Sequence, residues 1–495
     1  METRTISEVV LSLDEGTTGA TAIAVGLDGE VRGKGYEEIT QHYPRPGWVE
    51  HDANEIWSAV QVSAKRALDS AGAGPRDVRA VGITNQRETL VMWDRRTLEP
   101  IAPAIVWQDR RTADECAQLR AAGHEQRVRE ITGLVLDPYF TATKLAWALQ
   151  HVEGAKDAAV GTVDSWLIAR LSAGADHVTD ASNASRTLLF DIGRGMWSEE
   201  MVALFGVSLD NLPKVVDSSG KISVATQLNG APITGIAGDQ QAALFGQACT
   251  QDGMAKNTYG TGSFVLMQTG AQQVPSSAGM LTTVAWRRGG RLSYALEGAI
   301  FVTGAALQWL RDGLGIISSA AEAGPLAASV RDAGGVFLVP AFVGLGAPHW
   351  DPYARGTIVG LTRGTGRAHI VRAAVEAMAF QTRDVVEAME RDSGRRLAEL
   401  RVDGGAAVMD VLCQLQADLL GIAVRRPRQT ETTALGAAFL AGLGAGIWSD
   451  ADLAHLWKLD REFEPRMSRD EADTLQARWR QAVERSRGWE LPDNQ

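Results

Sequence analysis

The stretch PITGIAGDQQAALFG, Pro232 to Gly246, holds a strand, a turn and a helix start. Ile233 to Ile236 has the apolar, β-branched character of a short buried strand. Ala237 and Gly238 break it, and Gln241 to Phe245 begin a helix. One carboxylate, Asp239, stands at the turn. In α/β folds ligands bind at the carboxyl ends of strands. An Asp beside the first N–H groups of a helix stays ionised at neutral pH. Held against a substrate hydroxyl, it can accept the proton during phosphoryl transfer. The competing reading is a plain N-cap Asp.

Strands and helices alternate outward from there. Val9 to Leu13 reads as a strand ending at Asp14. Glu15 to Gly19 is a turn, and Thr21 to Leu27 a second strand. Asp28-Gly29 signals a hairpin into Val31 to Tyr36. The capping-box-like spacing Asp52 to Glu55, with Ile56, Val60, Ala64 and Ala67 on one face, predicts a helix over about Ala53 to Ser70. Val78 to Thr84, Leu90 to Trp93 and Ile101 to Trp107 read as strands. Thr112 to Ala122 and Thr143 to Val152 read as helices. After a boundary near Cys249 to Gly253 the opening pattern partly repeats. Met254 to Tyr259 is a strand, Gly260-Thr261-Gly262-Ser263 a corner, and Phe264 to Gln268 the returning strand. Leu400 to Asp403 then runs into Gly404-Gly405 and a helix over about Val408 to Leu420. The tail from Asp450 reads as helical. The alternation predicts a layered α/β protein, in two halves, 1–250 and 251–495.

Composition narrows the class. Hydrophobic residues make up 45% and charged residues 22% of 495, ordinary for a globular chain. The net charge of −11 argues against nucleic acid as the main partner. Cys116, Cys249 and Cys413 form no C-x-x-C pair, which suits free thiols in a reducing cytoplasm. METRTISE has no apolar segment of a signal peptide. The uncharged run Thr432 to Ser449 is marginal in length for a membrane span and is broken by Gly442, Gly444 and Gly446, so a buried core helix is expected.

Glycine is abundant, 52 residues, and three corners concentrate it: Asp14-Glu15-Gly16-Thr17-Thr18, Gly260 to Ser263, and Asp403 to Gly405. Without a Cβ, backbone N–H groups can wrap phosphate oxygens, and threonine hydroxyls add donors. Neither a Walker A run nor a G-x-G-x-x-G is present. Asp14 suits a hard cation such as magnesium. Arg87-Glu88, at the end of a strand, offers a donor fork beside an acceptor, a combination that fits a small polyol; a surface ion pair is the alternative. Trp107 and Tyr139 can pack on a carbon chain or on the core. The histidines show no spacing for a transition metal.

The segments LDEGTT (Leu13 to Thr18), YPRPGWVEHD (Tyr43 to Asp52), GITNQRET (Gly82 to Thr89), DPYF (Asp137 to Phe140), GIAGDQQAALFGQ (Gly235 to Gln247), NTYGTGSF (Asn257 to Phe264) and VDGGA (Val402 to Ala406) together resemble the glycerol kinases. These belong to the FGGY carbohydrate-kinase family. The resemblance runs from about Val9 to Trp448, and Gly356 to Glu376 also resembles a family signature. It implies two actin- and hexokinase-like (ribonuclease H-like) domains, mixed sheets flanked by helices, with the active site in the cleft between them. It further implies ATP-dependent phosphorylation of glycerol to glycerol 3-phosphate with magnesium, in a cytoplasmic homodimer or homotetramer without membrane insertion. Arg87, Glu88, Tyr139, Asp239 and Gln240 are then expected to bind glycerol hydroxyls, with Trp107 and Phe264 against its carbons. Asp239 is the expected base, and Asp14 with Asp239 the expected metal ligands. Thr17, Thr18, Gly19, Thr261, Gly304, Gln308, Gly405 and Met409 fall where the family contacts ATP or ADP.

Two positions depart from the family pattern. Thr21 stands where an arginine is usual, and Met409 where an asparagine is usual. Both changes remove polar contacts on the nucleotide side, so unchanged substrate choice with weaker nucleotide binding is expected. The short Thr226 to Gly230 loop lacks the basic, glycine-rich segment that some relatives use for fructose bisphosphate, and the histidine that others phosphorylate is missing. A kinase of the same fold acting on another polyol or sugar, and a non-enzymatic nucleotide-binding protein of the actin or chaperone type, remain the alternatives.

Overall fold

The computed structural model describes residues 8–490. Its frame is one mixed sheet of 13 strands. In chain order these are β1 (Val9–Gly16), β2 (Gly19–Gly26), β3 (Val31–Glu38), β4 (Val78–Asn85), β5 (Ser219–Ala225), β6 (Ala231–Gly238), β7 (Ala255–Tyr259), β8 (Ser263–Gly270), β9 (Leu281–Arg288), β10 (Arg291–Ile300), β11 (Glu399–Asp403), β12 (Ala423–Pro427) and β13 (Leu459–Phe463). Their spatial order is β13-β12-β11-β7-β8-β10-β9-β5-β6-β4-β1-β2-β3. Each half opens as an antiparallel meander, β1-β2-β3 and then β7-β8-β10, and each adds parallel strands beside its first strand, β4 and β6 in one half, β11 and β12 in the other. The weak repeat in the sequence is therefore a repeat of topology. The halves meet at β5 and β9, through the parallel pair Ser219 and Arg288.

The helices that matter for the site are α1 (Ala53–Ala71), α2 (Asp239–Gly246), α3 (Gly304–Asp312), α4 (Ala320–Ala328), α5 (Arg367–Ser393), α6 (Asp410–Leu420), α7 (Thr432–Gly444) and α8 (Arg469–Ser486). Helix α1 starts where Asp52 accepts from Asn54 N and Glu55 N, and stops at left-handed Gly72. It buries Ile56, Trp57, Val60 and Leu68, each contributing about 1.5–3 kcal/mol of apolar burial. It also lies close on β3: a Cβ at Gly35 would stand 2.1 Å from Ser63 O, and one at Gly33 2.2 Å from Ala67 O.

Helix α7 is apolar around its whole circumference and buried over Thr432 to Gly442 apart from Thr433. This is the core helix expected in the uncharged run, and among the described residues no helix is long and apolar enough to cross a membrane. Though late in the chain, α7 lies on β1, β4 and β6 of the first half; α2, from the first half, lies against β7, β8 and β9 of the second. The two helices cross backbone to backbone. A Cβ at Gly436 would sit 1.8 Å from Ala242 O, and one at Gly246 2.0 Å from Thr432 O. Both crossings therefore require glycine.

Two local expectations are corrected. Only Ala104–Ile105 of the Ile101 to Trp107 run is a strand, because Pro103 lacks an N–H for a ladder and the chain turns at Trp107. The tail is not helical throughout: β13 pairs with β12, anchored by buried Phe463 and the ion pairs Arg425–Glu462 and Arg426–Asp460.

Candidate active site

Asp239 is the first residue of α2, after the cap residue Gly238 at the end of β6. It is thus not the N-cap itself. Its Oδ1 accepts from Gln240 N at 2.7 Å, and its side chain is 30% exposed. Gly238 has no side chain because Arg87 lies there: a Cβ would meet Arg87 Cγ and Cδ at 2.7 Å. Arg87 Nε stands 3.0 Å from Asp239 Oδ1, off the line of its own N–H bond, so the two form an ion pair while that N–H keeps no acceptor.

The other nitrogens of Arg87 are engaged. Nη1 donates to Glu297 Oε2 at 2.6 Å and to Gln241 Oε1 at 3.2 Å; Nη2 donates to Glu297 Oε1 at 3.1 Å and to the Tyr139 hydroxyl at 3.3 Å. Arg186 completes a ring, donating from Nη2 to Glu297 Oε1 at 2.9 Å and from Nε to Glu88 Oε1 at 2.7 Å. All four charged side chains are buried. Burial alone would raise the pKa of Glu297, but the Arg186 and Arg87 guanidiniums hold it at about 2. Burial dominates at Glu88 and raises its carboxyl despite both arginines. Glu88 has φ 64, a strained left-handed conformation for a non-glycine residue, typical of functional sites.

Aromatic walls stand around this ring. Trp107 and Tyr139 pack edge to face with centroids 5.5 Å apart, and Arg87 Cζ lies 5.9 Å from the Phe264 ring centroid. Trp107 Nε1 donates to Thr17 Oγ1 at 2.9 Å, tying the wall to the first glycine/threonine corner. Gln240 donates from Nε2 to Asp239 Oδ2 at 3.2 Å and accepts from Lys256, which burial lowers to about 8 against the pull of Asp403 and Asp239. Arg87, Glu88, Trp107, Tyr139, Asp239, Gln240 and Phe264 thus form one connected set, drawn from both halves of the chain.

The nucleotide candidates divide into two groups. Thr261, Gly304, Gln308, Gly405 and Met409 line a cavity of about 650 Å³, walled on its far side by small residues of α4. Thr17, Thr18 and Gly19 lie instead at the β1–β2 corner and do not line that cavity. Gly304 opens α3 against Gly260, where a Cβ would come within 2.5 Å of the carbonyl oxygen. Gly404 has φ 84 and sits on Tyr259, where a Cβ would meet the backbone at 2.4 Å. Asp403, in the third corner, accepts from Gln247 Nε2 and Thr432 Oγ1, both at 2.6 Å, and so ties α2 to α7. Thr21 is the register partner of Asp14 across β1 and β2. The Asp14 carboxyl is pushed well up by burial and by the charge of Asp239. Among the described residues no group of three or more His, Cys, Asp or Glu gathers to hold a metal.

Arg186, Gln241, Lys256 and Glu297 were not singled out by the sequence. The signal was there for Glu297: a lone carboxylate in the apolar strand YALEGAI must be paired if buried.

The N-terminal domain of the FGGY family of carbohydrate kinases matches residues 9–246, and its C-terminal domain residues 255–445. The chain is 58% identical to a glycerol kinase of Dechloromonas aromatica, over 97% of this chain and 98% of that one. It is also 58% identical to one of Aromatoleum aromaticum, over 97% and 99%. Among solved structures, a Plasmodium falciparum glycerol kinase with ADP superimposes with TM-score 0.90 at 34% identity, over 97% of this chain and 98% of that one. With both domains matched and relatives aligned end to end, the chain belongs to the FGGY family of carbohydrate kinases.

Proposed function

We propose that this chain transfers the γ-phosphoryl group of ATP to glycerol, giving sn-glycerol 3-phosphate. The observation that carries the reading is the connected set around Asp239: a part-exposed carboxylate flanked by a buried arginine and glutamate and by three aromatic walls. It is supported by full-length relatives that bear the name glycerol kinase. Glycerol is small, so its binding energy is capped at about 1.5 kcal/mol per heavy atom. A pocket in which every hydroxyl meets a charged or amide partner makes the most of that.

In this reading Arg87, Glu88, Tyr139 and Gln240 orient the triol, while Trp107 and Phe264 flank its carbons. Asp239 accepts the proton of the terminal hydroxyl as that oxygen attacks the γ-phosphorus in line. The corner Gly16 to Gly19 from the first half, with Gly260 to Ser263 and the start of α3 from the second, presents backbone and hydroxyl donors to the phosphates. The cavity bounded by Thr261, Gln308, Gly405 and Met409 receives the rest of the nucleotide. Asp14 and Asp239 fit magnesium: burial first, and then the charge of Asp239, push the Asp14 carboxyl up, and two such carboxylates are the oxygen donors a hard cation favours; it would neutralise phosphate charge there. The halves 1–250 and 251–495 are the bodies that close over the cleft and exclude water. The working form is a homodimer or homotetramer in the cytoplasm.

The direct test is ADP release from Mg-ATP across a panel of polyols and sugars. Glycerol-dependent turnover is expected to fall by about 10²- to 10⁴-fold in Asp239→Asn, while calorimetry still detects glycerol. No glycerol turnover in the wild type, or full activity in the variant, refutes the reading.

A further inference from the structure

The buried charge ring poses a question that binding alone does not answer. A buried ion-pair cluster is no stability device by default, since replacing one with well-packed apolar residues is often neutral or stabilising. Here two arginines and two glutamates are held in one, three of them from the first half of the chain and Glu297 from β10 of the second. What the ring does is visible in the count of donors. Arginine has five N–H groups in a rigid fork. Four of those on Arg87 are taken, two of them by Glu297. The fifth, on Nε, is the one without an acceptor, and it lies beside Asp239. Glu88 is treated the same way: Oε1 is taken by Arg186, and among the described residues Oε2 accepts no hydrogen bond.

We propose that Glu297 is a positioning residue for the polyol site: by holding both terminal nitrogens of Arg87 and one of Arg186, it leaves Arg87 Nε–H as a free donor beside Asp239, and Glu88 Oε2 as a free acceptor, that meet a vicinal diol. The proposal rests on the glycerol-kinase reading. Glu297 touches no substrate itself. Without its carboxylate the guanidinium of Arg87 can rotate to satisfy its ends elsewhere, and the free N–H is no longer aimed by the protein. The amide of Glu297→Gln keeps one acceptor but turns an NH2 toward guanidinium donors, which breaks the two-pronged grip. Glu297→Asp keeps the charge on a shorter stem.

The experiment is steady-state kinetics of wild type, Glu297→Gln and Glu297→Asp, with glycerol and ATP varied separately. Loss of one charge-assisted hydrogen bond predicts a rise in glycerol KM of about tenfold to a hundredfold in Glu297→Gln. ATP KM is expected to stay within about twofold, because the ring lies outside the nucleotide cavity. Glu297→Asp is expected to recover most of the loss. A glycerol KM unchanged in folded Glu297→Gln, parallel rises in both KM values, or no recovery in Glu297→Asp overturns the proposal while leaving glycerol turnover by the wild type intact. If Glu297→Gln does not fold, Glu297→Asp decides alone: the incomplete recovery expected of the shorter stem is a glycerol KM a few-fold above wild type at constant ATP KM, and a wild-type glycerol KM or parallel rises in both KM values overturn the role. Absence of glycerol turnover in the wild type overturns both this role and the reading beneath it.

Discussion

The crossing of α2 and α7 makes a prediction that joins packing to catalysis. Substituting Gly436→Ala places a methyl group 1.8 Å from Ala242 O and 2.5 Å from its carbonyl carbon. That is roughly 1.5 Å short of the ~3.3 Å at which carbon and carbonyl oxygen normally approach. Neither neighbour is a flexible side-chain end, so the helices themselves must part. Overpacking of this kind costs about 3 kcal/mol, the upper end of the usual range. For a unit of 150–250 residues that is a fall in Tm of about 6–12 °C. The second consequence concerns Asp239 and Gln240, which form the first turn of α2. A misplacement of about 1 Å at reacting groups lowers rate about 10²-fold, so kcat is expected to fall by that order at temperatures where the variant is folded. Gly74→Ala is the control: its φ is −128°, its Cβ would meet only Asp77 Oδ2 at 3.8 Å, and both Tm and kcat should be unchanged. Differential scanning calorimetry and the ADP-release assay read the two effects. A Tm shift under about 2 °C refutes the steric argument. A large Tm shift with wild-type kcat refutes the link between the crossing and the catalytic turn.

Three further outcomes are expected. Trp107→Phe removes the bond to Thr17 Oγ1 and keeps the aromatic wall, so kcat/KM should fall by up to about tenfold, the worth of one neutral hydrogen bond; a larger loss would mean the indole does more than tether the corner. Burial holds His51 at about 4 against 6.5 unfolded, so the native state resists a proton that the unfolded chain accepts. Stability should therefore be unaffected above pH 6.5 and fall by about 3 kcal/mol between pH 6.5 and 4, and His51→Asn should lose that part of the Tm–pH slope. Met409 puts a thioether, not an amide, on the cavity proposed for the nucleotide; ADP is expected to bind with a Kd above the submicromolar range, and Met409→Asn to tighten it severalfold by calorimetry, whereas submicromolar binding by the wild type would refute the reasoning.

Local signals in the sequence carried most of the architecture. The Asp52 cap, the Asp28-Gly29 hairpin and the glycine/threonine corners each depend on residues a few positions apart, and each is where the local chemistry places it. The long uncharged run was legible as a core helix because charge is excluded from all its faces. Ile101 to Trp107 misled because apolar character cannot distinguish a ladder strand from a buried irregular segment, and Pro103 was the residue that broke the ladder. In the site, Arg87, Glu88 and Asp239 stood out as polar groups at strand ends. Arg186 and Glu297 did not, because their meaning lies in each other: the ring closes over sequence separations of 98, 111 and 210 residues. Asp403 shows the converse. A glycine corner with an aspartate looked like a phosphate loop, and the aspartate proves to be a clasp between helices.

The reciprocal seating of α2 and α7 bears on what kind of object this chain is. Each half of the sheet is covered by a helix encoded in the opposite portion of the gene product, so a cut at residue 250 would strip a buried helix from both fragments at once. The two portions repeat one topology, yet they are not tandem beads on a string. They are closer to two hands with fingers laced, and neither grip exists until the whole polypeptide has been made.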